Sequence, residues 1–528
     1  MILSPRRTFA ILALALVIAP LAARAPLFDP DEGLHAAIAQ EMTRTGDYVT
    51  PRFLGEPFLD KPILFFWAEA LSMRVLGMNE AAVRIPPLLF GVLGMIAVAL
   101  LGRALFGETA GVIAGIVYGT MLLPLGVSQV AVHDVAVVPF LCAAVWCLLT
   151  VSTNSPLGRR IAAVVAAGVF LGLSILTKGL VAVAFTGIFA VCFAIEKPET
   201  IIRLGIALTV AFLIAAAVAA PWYVAMERAH RGYLHYYFIE RHLQGYLTAT
   251  QRHAGRGWWY YIPIVIGGSL PWTGYLVGAA RHARGNRRRL AIWAWLAGGF
   301  VFLSAGESKL ITYALPLFPA IAMLVGDAIA RSINPAAGIE YKLYATTLAA
   351  LPIGGLVALQ LKFGGVTPAY WLLGTLVALA VAYVAFRQVH RPAFPQPQPL
   401  IMTLAGLMIV VPLAGTWMTG RDVAAKLNAG GRLPPLVLVV QERIGSLIFY
   451  LEPGLRAEAT PDRIGQASMA EAIQRSRTDP LDGVVVVRNN LLDRFERQFT
   501  VVPAPAGTAG TNTIFRVESL QRALQGTQ

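Results

Sequence analysis

The chain has 528 residues, 57% hydrophobic and only 14% charged, where a soluble protein carries about a quarter charged residues. That composition excludes an ordinary soluble enzyme and points to a polytopic α-helical membrane protein. The net charge of +14 does not imply a nucleic-acid partner, because the basic residues sit between apolar runs, in the positive-inside pattern, and form no recognition stripe.

The first apolar run, "TFAILALALVIAPLAARA", follows "SPRR". Ala23 and Ala25 make an A-x-A pattern of the kind that ends a signal peptide. Pro26 hinders cleavage there and further spans follow, so an uncleaved first helix is expected. Directly after it comes "DPDEGLHAAIAQEM", which sets Asp31 and Glu32 at the end of a membrane-length run. Either carboxylate could orient or deprotonate an acceptor; solvation at an interface is the plain alternative. "GLHAAIAQEMTRTG" has helical spacing and ends at Gly46, a C-cap residue. "FLDKPILFFW" follows, with Asp60 and Lys61 at the entry to a second short helix that opens on proline. Both helices are expected to lie in the membrane interface. A lysine at a helix N-terminus either anchors to headgroups or binds phosphate, since its charge and the free N–H groups point the same way.

Apolar runs near 20 residues, the length that crosses about 30 Å of hydrocarbon, then recur. About thirteen are read by hydropathy, near 8–25, 82–101, 109–127, 134–152, 160–176, 179–195, 203–225, 258–280, 290–305, 310–330, 343–361, 369–387 and 400–418. Alternate connections ("GRALFGE", "NSPLGRR", "EKPETIIR", "RHARGNRRR", "RQVHRP") are short and basic, which places them in the cytoplasm. The long connections 26–81 and 226–257 and the tail then share the opposite side, the periplasm of a Gram-negative bacterium, with the protein in the inner membrane. Asp134, Lys178 in "LTKGLV" and Lys309 in "GESKLITYALP" fall at that same outer surface. Ionisable groups at membrane spans are costly and face cavities, so a polar cavity is expected there. The second long connection, "YFIERHLQGYLTATQRHAGRGWWYY", carries Arg241, His242, Arg252, His253 and Arg256 among aromatic residues. The three cysteines, Cys142, Cys147 and Cys192, lie inside apolar runs and imply neither disulfides nor a cysteine metal site.

The tail 420–528 changes character. "PLVLVV", "SLIFYL" and "GVVVV" read as buried strands, and "SMAEAIQRSR" and "LLDRFERQF" as helices between them. A transmembrane domain over 1–419 and a small C-terminal α/β periplasmic domain over 420–528 are expected, the latter without phosphate loop, nucleophile elbow or other chemistry. Acids and cations gathered at one membrane surface suggest group transfer from a lipid phosphate. A transporter would show internal repeats and midplane charges, and none is evident.

The motifs "DPDEGLHAAIAQEM…GDYVTPRFLGEPFLDKPILFFW", "LTKG", "APWY", "RHAGRGWWYY…LPW" and "SKLITYALPLFP" resemble, in order, those of the bacterial aminoarabinose transferases of lipid A. These belong with the wider GT-C glycosyltransferases that use polyprenyl-phosphate sugars. The resemblance implies the GT-C fold, thirteen spans, interfacial helices in the first outer loop and a C-terminal periplasmic domain. It implies a polyprenyl (undecaprenyl) phosphate sugar as donor, and lipid A, or another glycan or protein, as acceptor. A protein O-mannosyltransferase-like reaction on a hydroxyl is the neighbouring alternative. It also implies roles: Asp31 and Asp134 as catalytic or acceptor-orienting acids, and Lys61, Lys178 and Tyr313 around the donor phosphate; from their placement alone, Glu32 is a candidate acid beside Asp31, and Lys309 and Arg252 are candidate phosphate ligands. Asp60 and His253 match positions that look like a metal pair (zinc, magnesium or manganese) in some relatives; the residues themselves require no cofactor. The chain departs from the pattern at Leu34, where the family often has arginine, at His35 and Ala37, where it often has tyrosine and glutamate, and at Asp60, where glutamate is usual.

Overall fold

The computed structural model describes the chain apart from residues 1–3, 24, 154, 249–254, 282, 284, 333–337, 364–365, 390–399, 402–416, 479–481 and 527–528. Helix α1 (Pro5–Ala23) leads into α2 (Asp31–Thr45), a two-strand hairpin, β1 (Arg52–Phe53) and β2 (Glu56–Pro57), and α3 (Leu64–Leu76). Then come α4 (Glu80–Phe106), a bent pair α5 (Glu108–Thr120) and α6 (Leu122–Ser128), α7 (Asp134–Leu149), α8 (Leu157–Lys178), α9 (Val181–Phe193) and α10 (Ile201–Ala229). Asn79 starts α4, its side chain accepting the Ala82 N–H at 2.9 Å, which satisfies one of the helix's open donors.

Among the described residues, seven helices are long and apolar enough to cross a membrane, or nine if each of two bent pairs counts as one span. The chain is a multi-pass membrane protein. The count of thirteen is not reached, for identifiable reasons. Helix α9 has 13 residues, about 20 Å at 1.5 Å per residue, and cannot span alone. Helix α1 and the helix Arg287–Ala305, which spends its first turn on arginines, are not among the seven. Most of 400–418 lies outside the described residues.

Ion pairs sort the two ends of the bundle. Arg6 meets Glu108, Arg288 meets Glu196, Arg281 meets Glu340, and Arg289 and Arg331 share Asp327. These pairs tie the basic connections together at one end. Asp60, Lys61, Asp134 and Lys178 gather at the other.

Residues 421–525 build a five-stranded sheet with flanking helices. Its strands are β3 (Val437–Val440), β4 (Ile464–Ala467), β5 (Val484–Arg488), β6 (Gly507–Ala509) and β7 (Asn512–Arg516), in the order β4-β3-β5-β7-β6. Strand β3 runs parallel to β4 and β5, while β7 runs antiparallel to β5 and β6. Alternation divides the sheet. Val437, Val439 and Val486 pack in one cluster with Leu447 and with Ala37 of α2. Leu438, Val440 and Val485 pack in the other with Ala472, Phe495 and Leu520.

One expectation changes here. "SLIFYL" is no strand: Gly445–Tyr450 is a short helix, since a brief apolar run looks the same in either state. Helix α2 is packed between α3 and Gly445–Tyr450, with most of its residues buried. Small residues permit this. A Cβ on Gly445 would collide with the backbone of Leu34, so the two helices touch backbone to backbone. Asp29 completes the joint by accepting from the N–H and hydroxyl of Ser446, while Gln40 donates to the Phe449 carbonyl at 3.2 Å. Helix α3 does keep an exposed apolar face, with Leu71 and Val75 outward, as an interfacial helix should.

Candidate active site

At the end where Asp60, Lys61, Asp134 and Lys178 gather, a cavity of about 670 Å³ is lined by these four with Arg241, His242, Tyr313 and Arg443, and with apolar residues along its walls. Each polar group arrives on an element end. Asp134 opens α7 and Lys178 closes α8. These antiparallel neighbours bring the two side chains into an ion pair, with Thr312 also donating to Asp134. The Lys178 ammonium lies over the Tyr313 ring, 4.2 Å from its centre, a cation–π contact that stiffens its aim.

The glycine of "LTKG" has a physical task. Gly179 has φ +75°, which favours glycine, and a Cβ there would strike His242. His242 lies on a π-helical turn, His235–Gln244, and its Nδ1 meets the Tyr237 carbonyl at 2.7 Å. Burial pushes its pKa down, so it packs as a neutral ring against the Lys178 turn.

Asp60 and Lys61 come from the loop before α3. Asp60 accepts from the Tyr236 hydroxyl at 2.6 Å and from Arg241 at 3.2 Å. Lys61 makes no hydrogen bond to protein among the described residues and faces the cavity. Asp31, the first residue of α2, reaches the site through Arg443, 3.5 Å away in the loop after β3. Behind it, His35 binds the Ala131 carbonyl through Nδ1 at 2.8 Å and packs edge-on to His133 among Phe65 and Phe66. Burial lowers the His35 pKa to about 4 and that of His133 well below its usual range. Both are neutral rings at neutral pH, joining α2 to the segment that carries Asp134.

Thus Asp60, Lys61, Asp134, Lys178 and Tyr313 share one cavity, and Asp31 stands at its edge. Glu32 does not join them. It is fully buried and takes Arg84 bidentately, at 2.9 and 2.8 Å, plus the Phe28 N–H at 2.8 Å. Arg84 also binds the carbonyls of Ala25 and Pro26, so the pair staples the turn between α1 and α2, away from the cavity lining. Lys309 is likewise buried, its ammonium on the Gly306 carbonyl, while Arg256 binds the Lys309 carbonyl at 2.6 Å. It secures a turn and does not line the cavity. Arg252 and His253 lie outside the described residues. Both Asp60 oxygens accept hydrogen bonds, and no three His, Cys, Asp or Glu groups converge among the described residues; the expected pairing of Asp60 with His253 lies outside them.

A family model described as dolichyl-phosphate-mannose-protein mannosyltransferase matches residues 60–224, the stretch that contains Lys61, Asp134 and Lys178. The undecaprenyl phosphate-alpha-4-amino-4-deoxy-L-arabinose arabinosyl transferase of Aeromonas salmonicida (strain A449) is 33% identical over 308 residues, 57% of this chain and 55% of that protein. The protein of that name from Edwardsiella ictaluri (strain 93-146) is 30% identical over 367 residues, 68% of this chain and 63% of that one. The chain therefore matches less than two thirds of the length of these curated relatives. The crystal structure of ArnT from Cupriavidus metallidurans bound to undecaprenyl phosphate superimposes with a TM-score of 0.74 at 22% identity, over 96% of this chain and 97% of that chain. This chain has the helical GT-C fold.

On that GT-C frame, three cavity residues were not singled out by sequence reasoning. Arg241 and His242 stood in a noted basic and aromatic stretch, but nothing set them apart from Arg252 and His253. Arg443 lies in the tail, which carries no catalytic motif in its sequence, and the joint between α2 and Gly445–Tyr450 brings it to the cavity.

Proposed function

We propose that the protein is an inverting glycosyltransferase of the bacterial inner membrane. It moves a 4-amino-4-deoxy-L-arabinose-like pentose from undecaprenyl phosphate to lipid A at the periplasmic face, where the C-terminal sheet also lies. The observation that carries this reading is the cavity in which Lys61, Lys178, Arg241 and Arg443 stand beside Asp60 and Asp134 among the described lining residues, with Asp31 at its edge. Apolar walls beside a surplus of cations suit a phosphate on a lipid chain. The names of the relatives and of the superimposed structure support the same donor.

In the reaction, the bond between sugar C1 and the donor phosphate oxygen breaks, and an acceptor oxygen bonds C1 from the opposite face. The donor phosphate goes from a diester with about one negative charge to a monoester approaching two. Lys61 and Lys178 supply positive charge where that second charge develops, which is the form of stabilisation that lowers a barrier. Lys178 is held for this by Asp134 below and the Tyr313 ring beside it. When the acceptor is a lipid A phosphate it is already ionised, and Asp31 has only to orient it. A sugar or protein hydroxyl would instead need Asp31 as base, and the mannosyltransferase family match favours that second reading.

Mass spectrometry of lipid A and envelope glycans from cells with and without the protein tests the choice. An aminopentose increment on lipid A that depends on the protein supports the first reading. An unchanged lipid A with a changed glycan or glycoprotein rejects it in favour of the second.

A further inference from the structure

We propose that Arg443, supplied by the C-terminal layer, is the acceptor-recognising cation of the site and binds a lipid-borne phosphate beside Asp31. The proposal rests on the transferase reading above and adds a substrate-binding residue to it. Three observations carry it.

First, the cavity has a buried end and an open end. The Lys178 and Asp134 side chains are 12% and 9% exposed, whereas those of Arg443 and Asp31 are 32% and 56% exposed. A donor phosphate at the two lysines occupies the buried end, so an acceptor from the membrane surface enters past Arg443. Second, the Arg443 guanidinium is only loosely engaged. Its ion-pair partner among the described residues is Asp31 at 3.5 Å, against about 2.7–2.9 Å for a formed charge-assisted bond. A planar fork of N–H donors facing a cavity suits a phosphate, which it can take bidentately. Third, the residue is pre-positioned. Its loop is fixed on one side by Glu442 paired with Arg488 and on the other by Ser446 bound to Asp29. The Tyr450 hydroxyl accepts the Leu27 N–H and donates to Glu80, both at 2.9 Å. This clamp fixes the loop that carries Arg443 at the cavity, so binding has only the side chain and not the loop to order.

The charge changes agree with one arginine at the open end and two lysines at the buried end. Transfer to a phosphate monoester carries about one negative charge from acceptor to donor phosphate, so the stronger cationic set belongs on the leaving side.

The test compares wild-type protein with the Arg443→Ala and Arg443→Lys variants, each full-length in nanodiscs. Binding is measured for bisphosphorylated lipid A, for the same lipid A with its phosphates removed, and for undecaprenyl phosphate. The expected result for Arg443→Ala is a loss of tenfold or more for bisphosphorylated lipid A, with dephosphorylated lipid A and undecaprenyl phosphate held within twofold. Arg443→Lys should recover part of the loss. Equal losses for phosphorylated and dephosphorylated lipid A would make Arg443 structural and overturn the proposal. A loss confined to undecaprenyl phosphate would move Arg443 to the donor end and also overturn it. If wild type binds undecaprenyl phosphate yet has no preference for phosphorylated lipid A, the acceptor assignment fails while the donor reading stands. If wild type binds no undecaprenyl phosphate, the transferase reading itself fails.

Discussion

Removing Lys178 separates two tasks that one residue performs. Its ammonium is the counter-ion of Asp134, and both side chains are nearly buried, so the pair is not a weakly held surface bridge. Lys178→Met takes the ion-pair partner from a buried carboxylate and leaves it the Thr312 hydroxyl and the charge of Lys61; breaking a buried pair costs about 3–5 kcal/mol. The same change withdraws a cation from the leaving phosphate, and loss of one pre-aimed electrostatic partner slows turnover by about 10²–10³. The double variant Lys178→Met with Asp134→Asn tells the effects apart, because it removes the orphan charge without restoring the cation. Thermal unfolding in detergent should show a clear drop for the single variant and recovery of most of it in the double variant. Sugar transfer measured at saturating donor should stay at least a hundredfold low in both. Transfer by the double variant within a few-fold of wild type would refute the role of Lys178 at the phosphate, and a stable single variant would refute the coupling to Asp134.

Lys61→Ala should weaken undecaprenyl phosphate binding by about tenfold or more, the worth of a charge-assisted contact, with a melting temperature that moves far less than in Lys178→Met, because Lys61 makes no hydrogen bond to protein among the described residues; titration with the lipid reads the first and thermal unfolding the second. Glu32→Gln should destabilise the fold by about 3–5 kcal/mol by breaking the buried Arg84 pair, yet the fraction that remains folded should turn over normally; a folded but inactive variant would return Glu32 to the chemistry. Burial raises the Asp29 carboxyl from 3.8 to about 7. A folded-state pKa above the unfolded one means that the native state holds the extra proton, so this contribution is complete below about 3.8 and is lost as pH rises through about 7. The melting temperature of wild type relative to Asp29→Asn should therefore fall between pH 5 and 8, and a difference that is flat across that range would contradict the buried carboxyl at the Ser446 joint.

Several residues of this site are legible in the sequence. Asp31, Lys61, Asp134 and Lys178 announced themselves because charge at the end of an apolar run is expensive and implies a partner or a cavity. Alternating basic connections gave the two ends of the bundle, which the Arg288–Glu196 and Arg289–Asp327 pairs reproduce. What stayed hidden depends on contacts between distant segments. Glu32 and Asp31 are neighbours in sequence, but helix geometry turns one inward to Arg84 and the other out toward Arg443. The helix Gly445–Tyr450 is a six-residue apolar run, too short for its periodicity to distinguish it from a strand. Its packing on α2 brings Arg443 to the cavity beside Asp31.

The central claim is that the cationic cavity transfers a sugar from undecaprenyl phosphate to lipid A. The most direct measurement is mass spectrometry of lipid A after incubation with purified, reconstituted protein and undecaprenyl-phosphate-linked aminopentose, for wild type and for Lys61→Ala. The expected result is an aminopentose added to lipid A by wild type and at least tenfold less by Lys61→Ala at limiting donor. Unmodified lipid A from wild-type protein that binds the donor, or equal transfer by Lys61→Ala, would contradict it.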